Sequence, residues 1–154
     1  MKLTVREASE ADLPAVLSLY AQLGEDDGSV LGVEEARVIF HRMQSYPDYR
    51  IYLAESEGRA VGTFALLIMD NLGHHGARSA ILEDVVVDNT LRGQGIGKEM
   101  MIFARQICLD KGCYKMTFSS NRNREAAHRF YESLGFVRHG YSFYTAIPAE
   151  EEEA

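Results

Sequence analysis

Leu3, Val5 and Ala8 alternate with Lys2, Thr4 and Arg6, the two-residue period of a strand with one solvated face. Ser9, with Asp12 three residues later, opens a segment in which Leu13, Val16, Leu17 and Tyr20 recur at helical spacing, and Gly24 is its stop. Beyond the acidic turn Glu25-Asp26-Asp27-Gly28-Ser29, a second helix is predicted from Val33, Ala36, Arg37, Ile39, Phe40 and Met43, closing before Pro47. Arg50 to Glu55 and Ala60 to Met69 read as two strands joined by the tight turn Glu57-Gly58-Arg59. A polar loop from Asp70 to Arg78 carries His74 and His75 and leads into Ser79 to Asp88. The centre of that segment, Val85-Val86-Val87, has the continuous apolar character of a strand buried on both faces.

From Gly95 to Leu109, Ile96, Met100, Phe103, Ala104 and Ile107 mark a long helix that stops at Lys111-Gly112. Lys115 to Ser119 is a further strand, and Glu125 to Leu134 a last helix ended by Gly135. Val137 and Tyr141 to Ile147 are expected to supply the final strands. Strands and helices in this order predict a mixed α/β domain over residues 1–148. No repeat or Pro/Ser-rich linker divides it.

Composition narrows the picture. The 154 residues suit one domain with one core, and the N-terminus lacks the apolar run of a signal peptide. No stretch approaches a membrane span, so a soluble, cytoplasmic protein with no membrane partner is expected. The net charge of −7 argues against a nucleic-acid partner, although Glu150 to Glu153 contribute four of those charges. Residues 149–154 are expected to form a disordered acidic tail. Cys108 and Cys113 are too few for a disulfide framework or a zinc site and are expected to be reduced, a single disulfide between them being the alternative.

The candidate chemistry lies at Arg92-Gly93-Gln94-Gly95-Ile96-Gly97-Lys98, where an apolar strand delivers the chain to a glycine-rich turn that opens a helix. Unpaired amides at a helix N-terminus, together with the macrodipole, attract anions, and glycines let those amides approach a phosphate. Arg92 and Lys98 add positive charge on either side. Spelling excludes a Walker A loop, since Gly97-Lys98 is followed by Glu99 and the glycine gap is too short. A dinucleotide fingerprint fails too, because the third glycine's place is taken by Lys98.

Arg92-Gly93-Gln94-Gly95-Ile96-Gly97 resembles the Arg/Gln-x-x-Gly-x-Gly/Ala loop of the GNAT acetyltransferase superfamily. Leu82 to Val87 is similar to that family's central strand, and Ala127 to Phe136, through His128, Phe130 and Tyr131, to its last-helix signature. The likeness spans Ser79 to Phe136, over a third of the chain. It implies a GNAT acyltransferase fold: a mixed central sheet with a splayed central strand, flanked by helices. It also implies acetyl-CoA as co-substrate and direct acetyl transfer to a primary amine.

By the same resemblance, Val85, Val86 and Val87 hold the pantetheine arm by main-chain contacts, and residues 92–98 hold the pyrophosphate. Tyr131 takes the place of the general acid that protonates the departing thiolate. Glu83 is expected to be the base, directly or through water, with partial burial raising its carboxyl toward a useful range. Period-two alternation turns Asp84 to the opposite face, so only one of the two should line the cleft. Where the family commonly has an Asn that bonds the pantetheine, this chain has Arg124. The sequence leaves open which of Asn121, Asn123 and Arg124 contacts the coenzyme.

The acceptor stays open. Glu83 to Asp88 and Gly112 to Lys115 resemble glucosamine-6-phosphate N-acetyltransferases; Ser120 to Arg124, Ala127 to Tyr131 and the His74-His75 pair resemble aminoalkylphosphonate N-acetyltransferases. A phosphonate or phosphate would need cations, for which His74, His75 and Arg78 are candidates; a polyamine would suit the acidic turn. Two adjacent histidines do not make a metal site, and no metal is expected. The alternatives are a protein N-acetyltransferase and a noncatalytic acetyl-CoA-binding regulatory module. Relatives are often homodimers, and Tyr141 to Tyr144 is aromatic enough to sit at such a contact.

Overall fold

A computed structural model of the chain describes residues 2–24 and 26–148. Its contacts fall into two compact units, one up to Phe118 and one from Ser119 onward. The first holds a single five-stranded sheet in chain order: β1 (Thr4–Glu7), β2 (Tyr49–Ser56), β3 (Arg59–Met69), β4 (Arg78–Val87) and β5 (Cys113–Thr117). Neighbours from β1 to β4 are antiparallel. β5 runs parallel to β4, as a strand reached through a helical crossover can. Between β2 and β3, Glu57 and Gly58 both have positive φ, 52° and 74°, the two-residue turn whose twist matches a hairpin.

The two-residue period assigns the faces of the sheet. Ile51 and Leu53 of β2, Ala65 of β3 and Val86 of β4 face α1 (Leu13–Tyr20) and α2 (Val33–Gln44), which contribute Val16, Leu17 and Phe40. Residues one step along point the other way: Tyr52 stacks on Phe64 at 5.1 Å and meets Phe103 of α3 (Ile96–Asp110) edge-on at 6.2 Å. α3 lies close to the sheet because β3 carries Gly62. A Cβ there would come 2.5 Å from Met100 Sδ and 3.0 Å from Val86 O.

The first helix starts and stops where its punctuation predicts. The Asp12 carboxylate accepts the Ser9 N–H at 2.7 Å, and Gly24 ends the segment in the left-handed region at φ 75°. Single 3-10 turns flank α1 at Glu10–Asp12 and Ala21–Leu23. Arg6 donates two hydrogen bonds to Asp12, at 2.7 and 2.8 Å, which hold that carboxyl well below its ordinary range. This pairing ties the start of the helix to β1.

Three expectations fail. β5 begins at Cys113 rather than Lys115, because Gly112, at φ 74°, turns the chain directly out of α3. Val85 and Val87 are only half-buried, while Val86 is buried, so this end of β4 is not covered on both faces. After α4 (Glu125–Ser133) there is no strand among the described residues, and Val137 and Tyr141 to Ile147 are irregular. Tyr141 and Phe143 are each 94% exposed. Alternation shows that a segment suits a pleated surface, but a strand exists only with a ladder partner. Glu25 and the predicted acidic tail, 149–154, lie outside the described residues.

Candidate active site

β4 changes character midway. Its pairing with β5 runs from Arg78↔Cys113 to Ile81↔Thr117 and stops, while β4 itself continues to Val87. On its other side β3 follows to the end, with Gly62 opposite Val87. The Asp88 N–H donates to Val61 O on β3 at 2.9 Å. Strand groups alternate in direction, so the N–H and C=O of Val87 and Val85 face away from β3, toward the side that β5 has left. The splayed strand thus exposes a peptide edge to which an extended ligand can pair as another strand does.

The chain leaves this edge through a turn built on Asp88. Its carboxylate accepts the Thr90 N–H at 2.9 Å and the Thr90 hydroxyl at 2.8 Å, and pairs with Arg59 at 2.9 Å. The Thr90 hydrogen bonds and Arg59 hold the Asp88 carboxyl below its ordinary range. Across the turn, Gln22 Oε1 accepts the Asn89 N–H at 2.8 Å. Gly93 and Gly95 follow at φ 80° and 81°, and a Cβ built on either meets nothing within 4 Å. The first helical bond is Glu99 N–H to Gly95 O, at 3.1 Å. The N–H groups of Ile96, Gly97 and Lys98 precede it in the first turn, where a helix offers no acceptor. Arg92, Gln94 and Lys98 are exposed around them. The open strand edge and the unobstructed loop fit the arm and the pyrophosphate of acetyl-CoA.

At the carboxylates the structure corrects the sequence. Between Thr63 and Ala65 of β3 there is one residue, Phe64, whereas between their partners Val86 and Glu83 there are two, Asp84 and Val85. β4 therefore carries a β-bulge, with Asp84 at φ 51°. The bulge breaks the plain alternation, and of the two carboxylates it is Asp84, not Glu83, that stands among the described residues lining the cavity beneath α1 and α2. One of the pair faces the cleft as expected, but not the one chosen as base. Both carboxylates act on Tyr49, whose hydroxyl is pushed up by burial first and then by Asp84 and Glu83. Tyr20 is pushed up by burial and by Asp84. The partial burial expected of Glu83 is absent, its side chain being exposed.

Asp84, Tyr20 and Tyr49 line a cavity of about 660 Å3 beneath α1 and α2, walled by apolar side chains such as Leu17, Ile39 and Met43. This volume lies within the range of small-molecule sites.

The second unit carries the other predicted residues. Asn121 Oδ1 accepts the Asn123 N–H at 2.9 Å, and Asn121 O accepts the Arg124 N–H at 3.0 Å. That turn sets Arg124 at the start of α4, where its carbonyl accepts the His128 N–H at 3.1 Å. Tyr131 is half-buried, packed against Phe130 and edge-on to Phe136. Burial pushes its hydroxyl above the ordinary tyrosine value, with Arg124 partly opposing.

His74, His75 and Arg78 fall elsewhere. Arg78 opens β4 six residues before Asp84, which at strand spacing is about 20 Å, and His74 and His75 lie in the turn that precedes the strand. His74 stacks on Tyr114 at 4.3 Å, and Arg78 pairs with Asp70 at 3.1 Å. They are not brought to the cavity. No group of His, Cys, Asp and Glu able to hold a metal occurs among the described residues. Both cysteines are free thiols, and burial with Cys113 nearby pushes Cys108 up to about 12.

Asp88, Tyr20 and Tyr49 were not singled out from the sequence as site residues. Asp88-x-Thr90 carries a readable signal, the Asx-turn in which a side-chain oxygen accepts an amide two residues on. The two tyrosines had none, since each also fits a core stripe.

An open central strand, a glycine-rich helix start and an adjoining cavity together define an acyltransferase of the coenzyme-A-binding type. Residues 13–136 match the acetyltransferase (GNAT) family, and the chain belongs to it. The glucosamine 6-phosphate N-acetyltransferase of Trypanosoma brucei brucei is 34% identical over 137 residues, 89% of this chain and 90% of that enzyme. The aminoalkylphosphonate N-acetyltransferase of Salmonella typhimurium is 27% identical over 143 residues, 93% of this chain and 90% of that one. A putative acetyltransferase from Agrobacterium tumefaciens has a TM-score of 0.87 at 34% identity, covering 93% of this chain and 99% of that one. The protein is therefore an N-acetyltransferase with acetyl-CoA as co-substrate.

Proposed function

We propose that the protein acetylates the primary amine of a small molecule held in the cavity under α1 and α2, and that its two units act as one acetyltransferase domain. The observation that carries this reading is the bulge at Asp84, which lies on the strand with the open edge and borders the cavity. Acetyl-CoA supplies an activated thioester. Val85 and Val87 bind its arm, with Val86 anchoring the strand, and an amide here polarises the thioester carbonyl. Arg92, Gly93, Gln94, Gly95, Ile96, Gly97 and Lys98 hold the pyrophosphate, and Asn121, Asn123 or Arg124 adds a contact. Glu83 takes the ammonium proton directly or through water, which suits its exposed position.

Tyr131 donates a proton to the departing thiolate. A hydroxyl pushed up by burial stays protonated beyond the ordinary tyrosine value, so the alkaline limb of kcat should lie above pH 10. The protein is proposed to be cytoplasmic. A homodimer is also proposed, with the exposed aromatics Tyr141, Phe143 and Tyr144 at the contact.

The test is thiol release from acetyl-CoA across a panel of amines, amino sugars, polyamines and aminophosphonates, with Tyr131→Phe as the control variant. Turnover of at least one amine, lowered about 100-fold or more in kcat by Tyr131→Phe, is expected. Acetyl-CoA binding without any turnover contradicts the reading.

A further inference from the structure

From the chemistry of the cavity wall, we infer that the acceptor is a primary amine on an apolar body, such as an alkylamine or arylalkylamine, without a phosphate, phosphonate or other anionic group. The inference rests on the proposed use of the cavity as the acceptor site. It departs from the substrates named for the two relatives above.

Among the described residues the wall contains no Lys, Arg or His, and its charged members are the carboxylates Asp84 and Glu35. Of the cations nearest in the chain, Arg42 is exposed and outside the described cavity lining, and the others are committed elsewhere. Arg37 pairs with Glu34 and Glu10, His41 with Glu10, and Arg50 with Glu7. Arg78 opens β4 at its far end, and His74 lies in the turn before it. An anion entering this cavity would lose its water, meet no partner in the wall and face two like charges, whereas an ammonium would find a carboxylate.

The second observation concerns the mouth. Val30, Leu31 and Ile39 line the cavity yet remain 45%, 42% and 36% exposed. Apolar side chains gathered at a cavity rim present a surface that an apolar ligand covers. Deeper in, Tyr20 and Tyr49 stay neutral, since burial and Asp84 hold their protons on. With both hydroxyls neutral, the charged side chains among the described lining residues are Asp84 and Glu35. Asp84 would orient the ammonium at the bulge while the body packs against Leu17, Ile39 and Met43.

The experiment compares kcat/KM for hexylamine and 2-phenylethylamine with that for 2-aminoethylphosphonate and glucosamine 6-phosphate. It uses the full chain, Asp84→Asn and the mouth variant Val30→Lys, with acetyl-CoA affinity measured by calorimetry in each. Expected is a preference of at least about 100-fold for the apolar amines. Asp84→Asn should raise their KM at least about tenfold, the size of one lost charge-assisted contact, at unchanged acetyl-CoA affinity. Val30→Lys should narrow the preference. Higher kcat/KM for the phosphonate or the sugar phosphate would overturn the inference and leave the acetyltransferase reading standing. No turnover of any amine by a protein that binds acetyl-CoA would overturn both.

Discussion

Along β4, Arg78–Ile81 has a strand on each side, whereas among the described residues Leu82–Val87 has β3 alone and carries the bulge at Asp84. The first stretch holds Ser79 and Ala80, both buried. The second exposes Glu83 and Asp84, half-exposes Val85 and Val87, and leads into the glycine-rich loop. One strand thus serves as scaffold until its second partner leaves, and offers an open edge afterward, the edge proposed to bind acetyl-CoA. The lesson is physical: a paired main chain has no hydrogen-bonding capacity left for a ligand, and chemistry gathers where pairing ends. Buried neighbours such as Leu82, 1% exposed, still fix the second stretch from below.

This contrast can be broken at three points. The largest effect is expected from Leu82→Ala, which removes a fully buried side chain at the boundary. It should cost about 2–5 kcal/mol in urea unfolding, with acetyl-CoA affinity preserved in the folded fraction. Next comes deletion of Asp84, which takes out the extra residue and lets β4 pair with β3 without a kink. Folding should survive while kcat/KM falls at least about 100-fold, because the carboxylates and the strand edge move by an ångström or more. Asp84→Asn, which keeps the bulge, should lose less. If the deletion leaves the rate intact, the bulge has no part in the site.

The smallest effect concerns the turn that joins strand to loop. Asp88→Asn should cost about 0.5–2 kcal/mol at neutral pH. The Asp88 carboxyl is lower when folded than when unfolded, so its contribution is present above the unfolded value, near 4, and fades as pH falls through the folded value. Thermal unfolding of the two proteins should therefore converge as the pH is taken below the unfolded carboxyl value, near 4. A difference that grows in acid would contradict the role of the Thr90 and Arg59 contacts.

Much of the architecture was legible because it is written in short-range signals. Ser9 and Asp12 mark the first helix, Glu57-Gly58 the hairpin, and Gly93 and Gly95 the glycine-rich turn into α3; each works within a few residues. The bulge was not legible. Glu83-Asp84-Val85 scans as ordinary alternation, and only the count of partners on β3 reveals the extra residue. The irregular course of residues 141–147 was hidden for the related reason that strand formation depends on a partner far away in sequence. The cavity joins Tyr20, Tyr49 and Asp84 from three elements, a juxtaposition no local pattern encodes.

Acetyl-CoA is proposed to complete the second stretch of β4 as a missing strand would. Amide hydrogen exchange with and without acetyl-CoA tests it most directly, with Arg78–Ile81 as the internal reference. The account predicts added protection at Val85, Val87 and the amides of residues 93–98, with Ser79 and Ala80 already protected and unchanged. Saturating acetyl-CoA that leaves Val85 and Val87 exchanging as before would contradict it.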